Sequence, residues 1–392
     1  MSDQAPGVIQ VRPSQLEDLA GVFDQMEAGG TNVALLPALG DRAVPRLEEA
    51  ALPEEPSGWL AVTSSGSTGV PKVVWRRWTD LRVGLSHRPE IRGWCWAAPY
   101  APWTFAGVQV ALQAWLVAGR VVSLPHDWTE AWRKLEQTRP DAVSATPTYL
   151  DLLLQEEALP AFSDTHQRQQ SKEAPKGFPQ AAGSSEMSAE TAGFRRGWSP
   201  RQITLGGEPL RPGVGQRLAA RFPTARFTVV YAAAEFGVIA TTHRMDGWYE
   251  LAALDGRFPG GWRQEDGVLE LQRGGDWRST GDLVEVAGDL FRVIGRADGV
   301  ANVAGTKVNL AQVAAVAEEV PGVLRAVAVA EPNSVTGQVV CLRYAPAPGL
   351  DSSKLANALE AHLRAQLPKA AWPRKWVVDQ VAPVHNAKRA VG

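Results

Sequence analysis

The chain is predicted to be an α/β protein, with a large N-terminal domain of mixed and parallel sheets under covering helices and a small C-terminal α+β domain. Three features of its 392 residues point there. Short apolar runs alternate with longer helix-patterned stretches through the first part of the chain, the rhythm of parallel strands joined by crossover helices. A later series, "GVLELQ" and "DLVEVAGDLFRVIG", carries turn residues between strands, as antiparallel hairpins do. After "GRADG" the chain restarts as a small unit that alternates helices and strands on its own.

Taken in order, "GWLAV" reads as a short buried strand and "KVVWRRW" as a second one. "AGVQVALQAWLVAG" is apolar nearly all round, as in a buried helix, and "RVVSL" follows as a strand. "TEAWRKLEQTRP" opens with Thr129 at a cap position, carries Glu–Lys spacing and stops before Pro140. "DAVSATP" is the next strand. Between residues 160 and 200 the pattern collapses into Ser, Gln, Glu, Ala and Gly, which bury too little apolar area to offset chain entropy; a flexible surface insertion is expected there. Order returns with the strands "RQITLGG" and "ARFTVVYA". The small unit then contains the helix "AQVAAVAEEV", the strands "VLRAVAVAEP" and "QVVCLRYAP", and the helix "SSKLANALEAHLRAQL" with its Ser/Asp cap cluster. The linker candidate is Arg296–Gly299, which divides the chain into domains of 1–297 and 298–392.

Length alone exceeds what one core usually supports, in agreement with two domains. The 40 Lys and Arg nearly balance the 42 Asp and Glu, so the formal charge of −2 gives no bulk attraction to nucleic acid or anionic lipid. An anionic ligand would have to meet a local cationic site. Cys95 and Cys341 stand far apart with no CxxC or Cys/His metal spacing, which disfavours a disulfide framework and suits a reducing cytosol. The N-terminus lacks the order of a signal peptide, and no window offers eighteen uninterrupted apolar residues, so a cytoplasmic protein without an integral membrane segment is expected. The fifteen tryptophans recur at no fixed period and read as core filling or lineage bias. There is no HExxH, no GxSxG elbow and no glycosidase-like carboxylate pair.

The residues that carry chemistry begin with Thr63–Lys72, "TSSGSTGVPK", between the first two strands. A loop of glycines and hydroxyls can turn its N–H groups toward an anion, with lysine as a mobile point charge. It is not GxxxxGK[ST]: Lys72 follows Pro71, and Val73 stands where a Mg²⁺-binding hydroxyl would be. Taken by itself, such a loop also reads as a flexible connection.

The loop resembles the phosphate loop of the adenylate-forming superfamily, [ST]SG[ST]TGxPK, with Ser65, Gly66, Ser67, Thr68, Gly69, Pro71 and Lys72 in place. Further motifs of that family follow in order. "GGEPL" at 206–210 resembles its GGxPL turn, "YAAAEFG" its Y-G-x-T-E, "RSTGDL" its TGD, and "GRADG" its ribose-contacting arginine and hinge. "VAGTKVNLAQV" resembles the loop beyond the hinge, and "APVHNAKRAVG" the closing lysine motif. The match extends from Gly58 to Gly392.

The resemblance implies an ATP-dependent enzyme that first forms an acyl-adenylate from a carboxylic acid, then passes the acyl group to a thiol, usually of CoA. On that reading Lys388 sits between the carboxylate and the α-phosphate, while Lys72 and Ser65–Gly69 hold the departing pyrophosphate. Gly207 lines the adenine and acyl pocket, Tyr231 stacks on adenine, and Asp282 and Arg296 take the ribose. Glu235, with Thr68, holds Mg²⁺. Asp298 is the hinge of a mobile C-terminal lid that later brings the thiol beside Gly305.

Three positions depart from the family pattern: Ala234 replaces its threonine, Thr104 in "TFAG" stands for an acyl-pocket histidine, and Ala387 precedes the terminal lysine in place of glycine. The two arginines of "VVWRRW" are expected on the strand surface. With only some sixty residues before the phosphate loop and the segment "SATPTYLDLLL", the chain looks most like an o-succinylbenzoate–CoA ligase of menaquinone and phylloquinone biosynthesis. Another aryl- or fatty-acid ligase acting on CoA or a carrier protein is the first alternative, a degenerate non-catalytic nucleotide-binding module the second. Homodimers are common in the family, and the sequence leaves oligomeric state open.

Overall fold

A computed structural model describes residues 8–38, 58–64, 72–158, 198–347, 350 and 352–379. The phosphate-loop residues Ser65–Pro71, residues 160–197 of the expected insertion, Asp351 of the cap cluster of the last helix and Lys388 lie outside the described residues.

Four sheets build the molecule. In the first, β1 (Val8–Val11), β2 (Asn32–Leu35) and β3 (Trp59–Ser64) are parallel, and β4 (Lys72–Arg77) returns antiparallel to β3. The second has the order β10-β9-β8-β7-β5-β6: β5 (Cys95–Ala98), β6 (Arg120–Ser123), β7 (Ala142–Ala145), β8 (Gln202–Gly206) and β9 (Arg226–Ala233) are parallel, with β10 (Gly237–Thr242) turned back on β9. The third is wholly antiparallel: β11 (Tyr249–Glu250), β12 (Trp262–Glu265), β13 (Val268–Arg273), β14 (Asp276–Ala287) and β15 (Leu290–Arg296). The parallel strands and the hairpin series therefore stand as the sequence predicts, whereas β1, β2 and the first helix had no counterpart in the sequence reading.

Helices α1 (Ala20–Ala28), α2 (Trp78–Arg82) and α3 (Phe105–Leu116) share a core with the first sheet, centred on Phe23, Leu60 and Leu112. Helices α4 (Trp128–Thr138), α5 (Pro147–Ala158), α6 (Pro212–Arg221) and α7 (Ala252–Arg257) flank a second core under the second and third sheets. Local chemistry explains their starts. Thr104 caps α3, accepting from Gly107 N at 3.2 Å and donating to Ala101 O at 2.7 Å; a Cβ on Gly107 would lie 2.2 Å from that same carbonyl oxygen. Thr104 thus serves the helix start and does not line the cavity described below. Asp127, not Thr129, caps α4, through Glu130 N at 2.8 Å, because the chain enters the helix two residues earlier than the Thr signal suggests.

The C-terminal unit has its own core and its own sheet, formed by β16 (Val300–Val303), β17 (Thr306–Asn309), β18 (Val323–Asn333) and β19 (Gly337–Pro346), with β20 (Lys375–Val378) parallel to β19. Helices α8 (Leu310–Glu318) and α9 (Ser352–Gln366) cover it. It docks on the N-terminal part at two places. Asn309, the cap of α8, donates to Ile294 O on β15 at 3.1 Å. Glu318, at the end of α8, pairs with Arg211 at the start of α6.

Glu318 carries a double load. Its Oε1 also accepts from Ala326 N at 2.8 Å and lies 3.6 Å from Arg325, whose side chain is only 4 % exposed. Burial holds the Arg325 pKa below the usual arginine value, against the pull of Glu208 and Asp151. Removing one partner from a buried pair leaves an uncompensated charge, at a cost of about 3–5 kcal/mol. Glu318→Gln is therefore expected to destabilise the protein by about that amount in urea unfolding, and Arg211→Gln, which leaves Glu318 and Arg325 together, by less than half as much. Equal losses would show that the pair with Arg211 dominates.

Candidate active site

The second sheet, through β9, meets the third sheet at one group of side chains. Asp282 on β14 is paired in register with Arg296 on β15, and Arg296 Nη1 bonds Asp282 Oδ1 at 2.9 Å. From the second sheet, Tyr231 on β9 donates its hydroxyl to Asp282 Oδ2 at 2.6 Å. Arg296 also reaches Thr280 O at 3.0 Å and lies 3.5 Å from Asp298. Gly281, with φ +73°, leaves the space this requires: a Cβ there would sit 2.7 Å from Arg296 Nη2.

Asp282 is buried, and burial pushes its carboxyl above the ordinary value despite the opposing pull of Tyr231 and Arg296. Desolvation draws Arg296 down, but Asp282 and Asp298 together hold it above the ordinary arginine value. Tyr231 is itself a core residue, 8 % exposed, with its ring among Tyr249 and Phe291. In this arrangement its main contact is the hydroxyl on Asp282, and little ring face is left for a stacked base.

A cavity of about 260 Å³ runs over the second sheet, lined by Val230 and Ala232, which alternate with Tyr231 along β9 and so face away from this group. Gly206, Gly207 and Ala232 line it at the strand ends that carry "GGEPL" and "YAAAEFG", with Gly207 in the left-handed region at φ +84°. Trp94, Trp96, Tyr100 and Phe105 form an aromatic wall, and Gln202, Thr204 and Thr228 contribute a polar floor by the two-residue period of β8 and β9. Among the described residues, three guanidiniums, Arg88, Arg226 and Arg257, are in the lining, and no Asp or Glu is. Arg88 and Arg226 are exposed. Arg257 is half-buried at the end of α7, its pKa lowered by burial; it donates to Val238 O at 3.3 Å and approaches Gly84 closely.

Glu235 occupies the turn from β9 to β10 with its carboxylate exposed, and Lys72 begins β4 opposite Ser64. Gly305 lies in the tight turn between β16 and β17, where Ala304 and Gly305 both have positive φ, 50° and 83°. That turn asks for glycine on its own account. The structure therefore brings Tyr231, Asp282, Arg296 and Asp298 together in one group and sets Gly207 in the cavity lining apart from them, while Ser65–Gly69 and Lys388 are not among the described residues. Arg76 corrects the reading of "VVWRRW" as strand surface: it is 5 % exposed and points inward, on the same face of β4 as Val74. Alternation along β4 was the available signal for it; Arg257 had none, because only tertiary packing brings α7 to the cavity.

Residues 26–258 match the family model described as AMP-binding enzyme. The chain belongs to that family of adenylate-forming enzymes. Among solved structures, the fold is shared with the amide bond synthetase McbA from Marinactinospora thermotolerans, at 20 % identity over 96 % of this chain and 77 % of that one, TM-score 0.60. It is shared also with the anthranilate CoA ligase AuaEII in complex with anthranoyl-AMP, at 15 % identity over 96 % and 75 %, TM-score 0.61. A variant of E. coli MenE with bound OSB-AMS is similar at 14 % identity over 95 % and 83 %, TM-score 0.61. No curated protein sequence matches the chain. No helix among the described residues is long and apolar enough to cross a membrane.

A raised Asp282 pKa has a consequence for stability. The folded state holds the proton more tightly than the unfolded chain, so this group's contribution is complete below its ordinary value of 3.8 and falls as pH rises through the folded value. Against an Asp282→Asn variant, the wild-type protein is thus expected to lose melting temperature as the pH rises above about 4. A relative gain over that interval would show the carboxylate to be net stabilised by its partners.

Proposed function

We propose that this protein is an AMP-forming acid–CoA ligase that acts on an aromatic acid bearing a second anionic group, o-succinylbenzoate being the compound that fits best. The observation that carries the reading is a cavity with an aromatic wall and guanidiniums but, among the described residues, no carboxylate in its lining, reaching the glycine turn at Gly206–Gly207. A cation partly withdrawn from water without a carboxylate partner favours an anionic guest, and an arginine fork suits carboxylate geometry. Arg257 is the group so placed. The bond it makes with Val238 O ties it to the strand paired with Ala232, at the end of the cavity nearest the glycine turn. The likeness to MenE with OSB-AMS and to an anthranilate CoA ligase agrees in fold and is not the basis of the substrate choice.

The chemistry follows in two balanced steps. An oxygen of the acid's carboxylate bonds to the α-phosphorus of ATP while the bond to the β-phosphate oxygen breaks, giving acyl-adenylate and pyrophosphate. The thiol sulfur of CoA then bonds to the acyl carbon; AMP leaves with the bridging oxygen, and the thiol proton passes to solvent or base. Asp282 would accept the ribose hydroxyls, since one carboxylate can take two O–H donors, and Arg296 would fix its orientation. Lys72 and the hydroxyls of Ser65–Gly69 would steady the pyrophosphate, and Lys388 would bridge the acid and the α-phosphate. Glu235 fits Mg²⁺: it is an exposed hard-oxygen donor, and no cluster of three His, Cys, Asp or Glu exists among the described residues, which suits an ion held mostly by phosphate oxygens, with Thr68 beside it. The ion supplies charge neutralisation on the phosphates. The hinge is placed at Asp298, dividing domains 1–297 and 298–392; its ion pair with Arg296 links lid position to the ribose site.

Purified protein with ATP and Mg²⁺ is expected to release pyrophosphate with o-succinylbenzoate and to convert it to a thioester when CoA is added. Arg257→Met should weaken kcat/KM for this dicarboxylic acid about 10- to 100-fold, the loss of one hydrogen-bonded charge contact, and leave a monocarboxylic benzoate nearly unchanged. Equal losses for both acids would remove Arg257 from substrate reading; no AMP from any aromatic acid would remove the substrate class.

A further inference from the structure

The turn that carries Glu235 is held from outside by groups that the catalytic reading does not use. Residues 234–236 connect β9 to β10 as a three-residue hairpin loop closed by Gly237 in the left-handed region at φ +80°. Phe236 N bonds Ala233 O at 3.2 Å, so the turn satisfies part of its own backbone. The carbonyls of Ala234 and Glu235 are left facing the first sheet. Arg76 on β4 fills that gap: its Nη1 donates to Glu235 O at 2.7 Å and lies 3.4 Å from Ala234 O. A second guanidinium, Arg273 at the end of β13, donates to the same Glu235 O at 3.0 Å and pairs with Asp80 of α2 at 3.3 Å. One carbonyl oxygen therefore joins three sheets.

Two details mark Arg76 as built for this contact. It is 5 % exposed, and its Nε has no hydrogen-bond partner within the described residues, a cost tolerated for the sake of the remaining bonds. Its guanidinium also occupies the volume a side chain at 237 would need, since a Cβ on Gly237 would stand 2.9 Å from Arg76 Nη2. The charges around it are Arg273, Asp80 and Glu235. A turn with three alanines before its glutamate has no side-chain hydroxyl of its own at 232–234 to fix it, and the fixing comes from the neighbouring strand.

We propose that Arg76 is a positioning residue, which clamps the main chain of Ala234 and Glu235 in the space left by Gly237 and so aims the Glu235 carboxylate at the divalent cation on ATP. The inference rests on the reading of Glu235 as the metal-binding carboxylate. Residues that orient a metal ligand typically change metal affinity or activity 10- to 100-fold when lost.

The test uses Mn²⁺ as a spectroscopic stand-in, with its affinity for the full-length protein saturated with α,β-methylene-ATP followed by electron paramagnetic resonance. Arg76→Met is expected to weaken Mn²⁺ binding about tenfold, Arg76→Lys to restore part of it, and Gly237→Ala to weaken it by displacing the guanidinium. Glu235→Gln serves as the reference for loss of the ligand itself. If Glu235→Gln weakens Mn²⁺ while Arg76→Met and Gly237→Ala do not, the clamp is refuted and the reading of Glu235 stands. If Glu235→Gln has no effect, the reading of Glu235 fails, and the inference fails with it. Should Arg76→Met not fold, Arg76→Lys and Gly237→Ala decide the matter by the same comparison.

Discussion

A buried carboxylate must be compensated where it stands, and Asp282 is compensated from two sheets at once. Tyr231 reaches it from the second sheet and Arg296 from the adjoining strand of the third, while Thr280 Oγ1 accepts from its backbone N at 3.1 Å. Any shift of one sheet against the other would strand this charge or one of its partners. The register of β14 on β15 and the burial of Tyr231 among Tyr249 and Phe291 both serve that contact. Through Arg296 the same group touches Asp298, two residues before β16.

A second regularity concerns how guanidiniums are seated. Arg296 lies against Gly281 and Arg76 against Gly237, in both cases where a Cβ would come closer than 3.0 Å. Both glycines have positive φ, so the conformation that turns the strand also removes the side chain that would block the arginine. Arg257 is placed likewise beside Gly84, less tightly, at 3.3 Å. Cations are thereby seated inside a protein whose overall charge is slightly negative.

The architecture was legible because its strands are apolar runs of even length between turn residues. β8, β9 and β13–β15 follow the quoted segments closely. The motifs "GGEPL", "YAAAEFG" and "RSTGDL" were legible as a set, and the first and second line one cavity while the second and third share the Tyr231–Asp282 bond. What escaped was set by tertiary contact. β1 and β2 are too short and mixed to announce themselves, and β20 is a strand only because β19 offers it an edge. Arg76 reads as a solvent-facing strand residue until β4 is seen with both faces covered. Tyr231 carries a role from the family pattern, adenine stacking, which its burial leaves with little exposed ring. Gly305 would be demanded by its hairpin with or without a thiol nearby.

The central claim is that Asp282 reads the ribose of ATP. Equilibrium binding of ATP and of 2′,3′-dideoxy-ATP, measured on the wild-type protein and on Asp282→Asn, tests it as a two-by-two comparison. Hydrogen bonds to a charged group contribute about 1.5–3 kcal/mol, so the wild type should prefer ATP by roughly tenfold or more and the variant should lose that preference. An equal preference in both proteins, or none in the wild type, would contradict it.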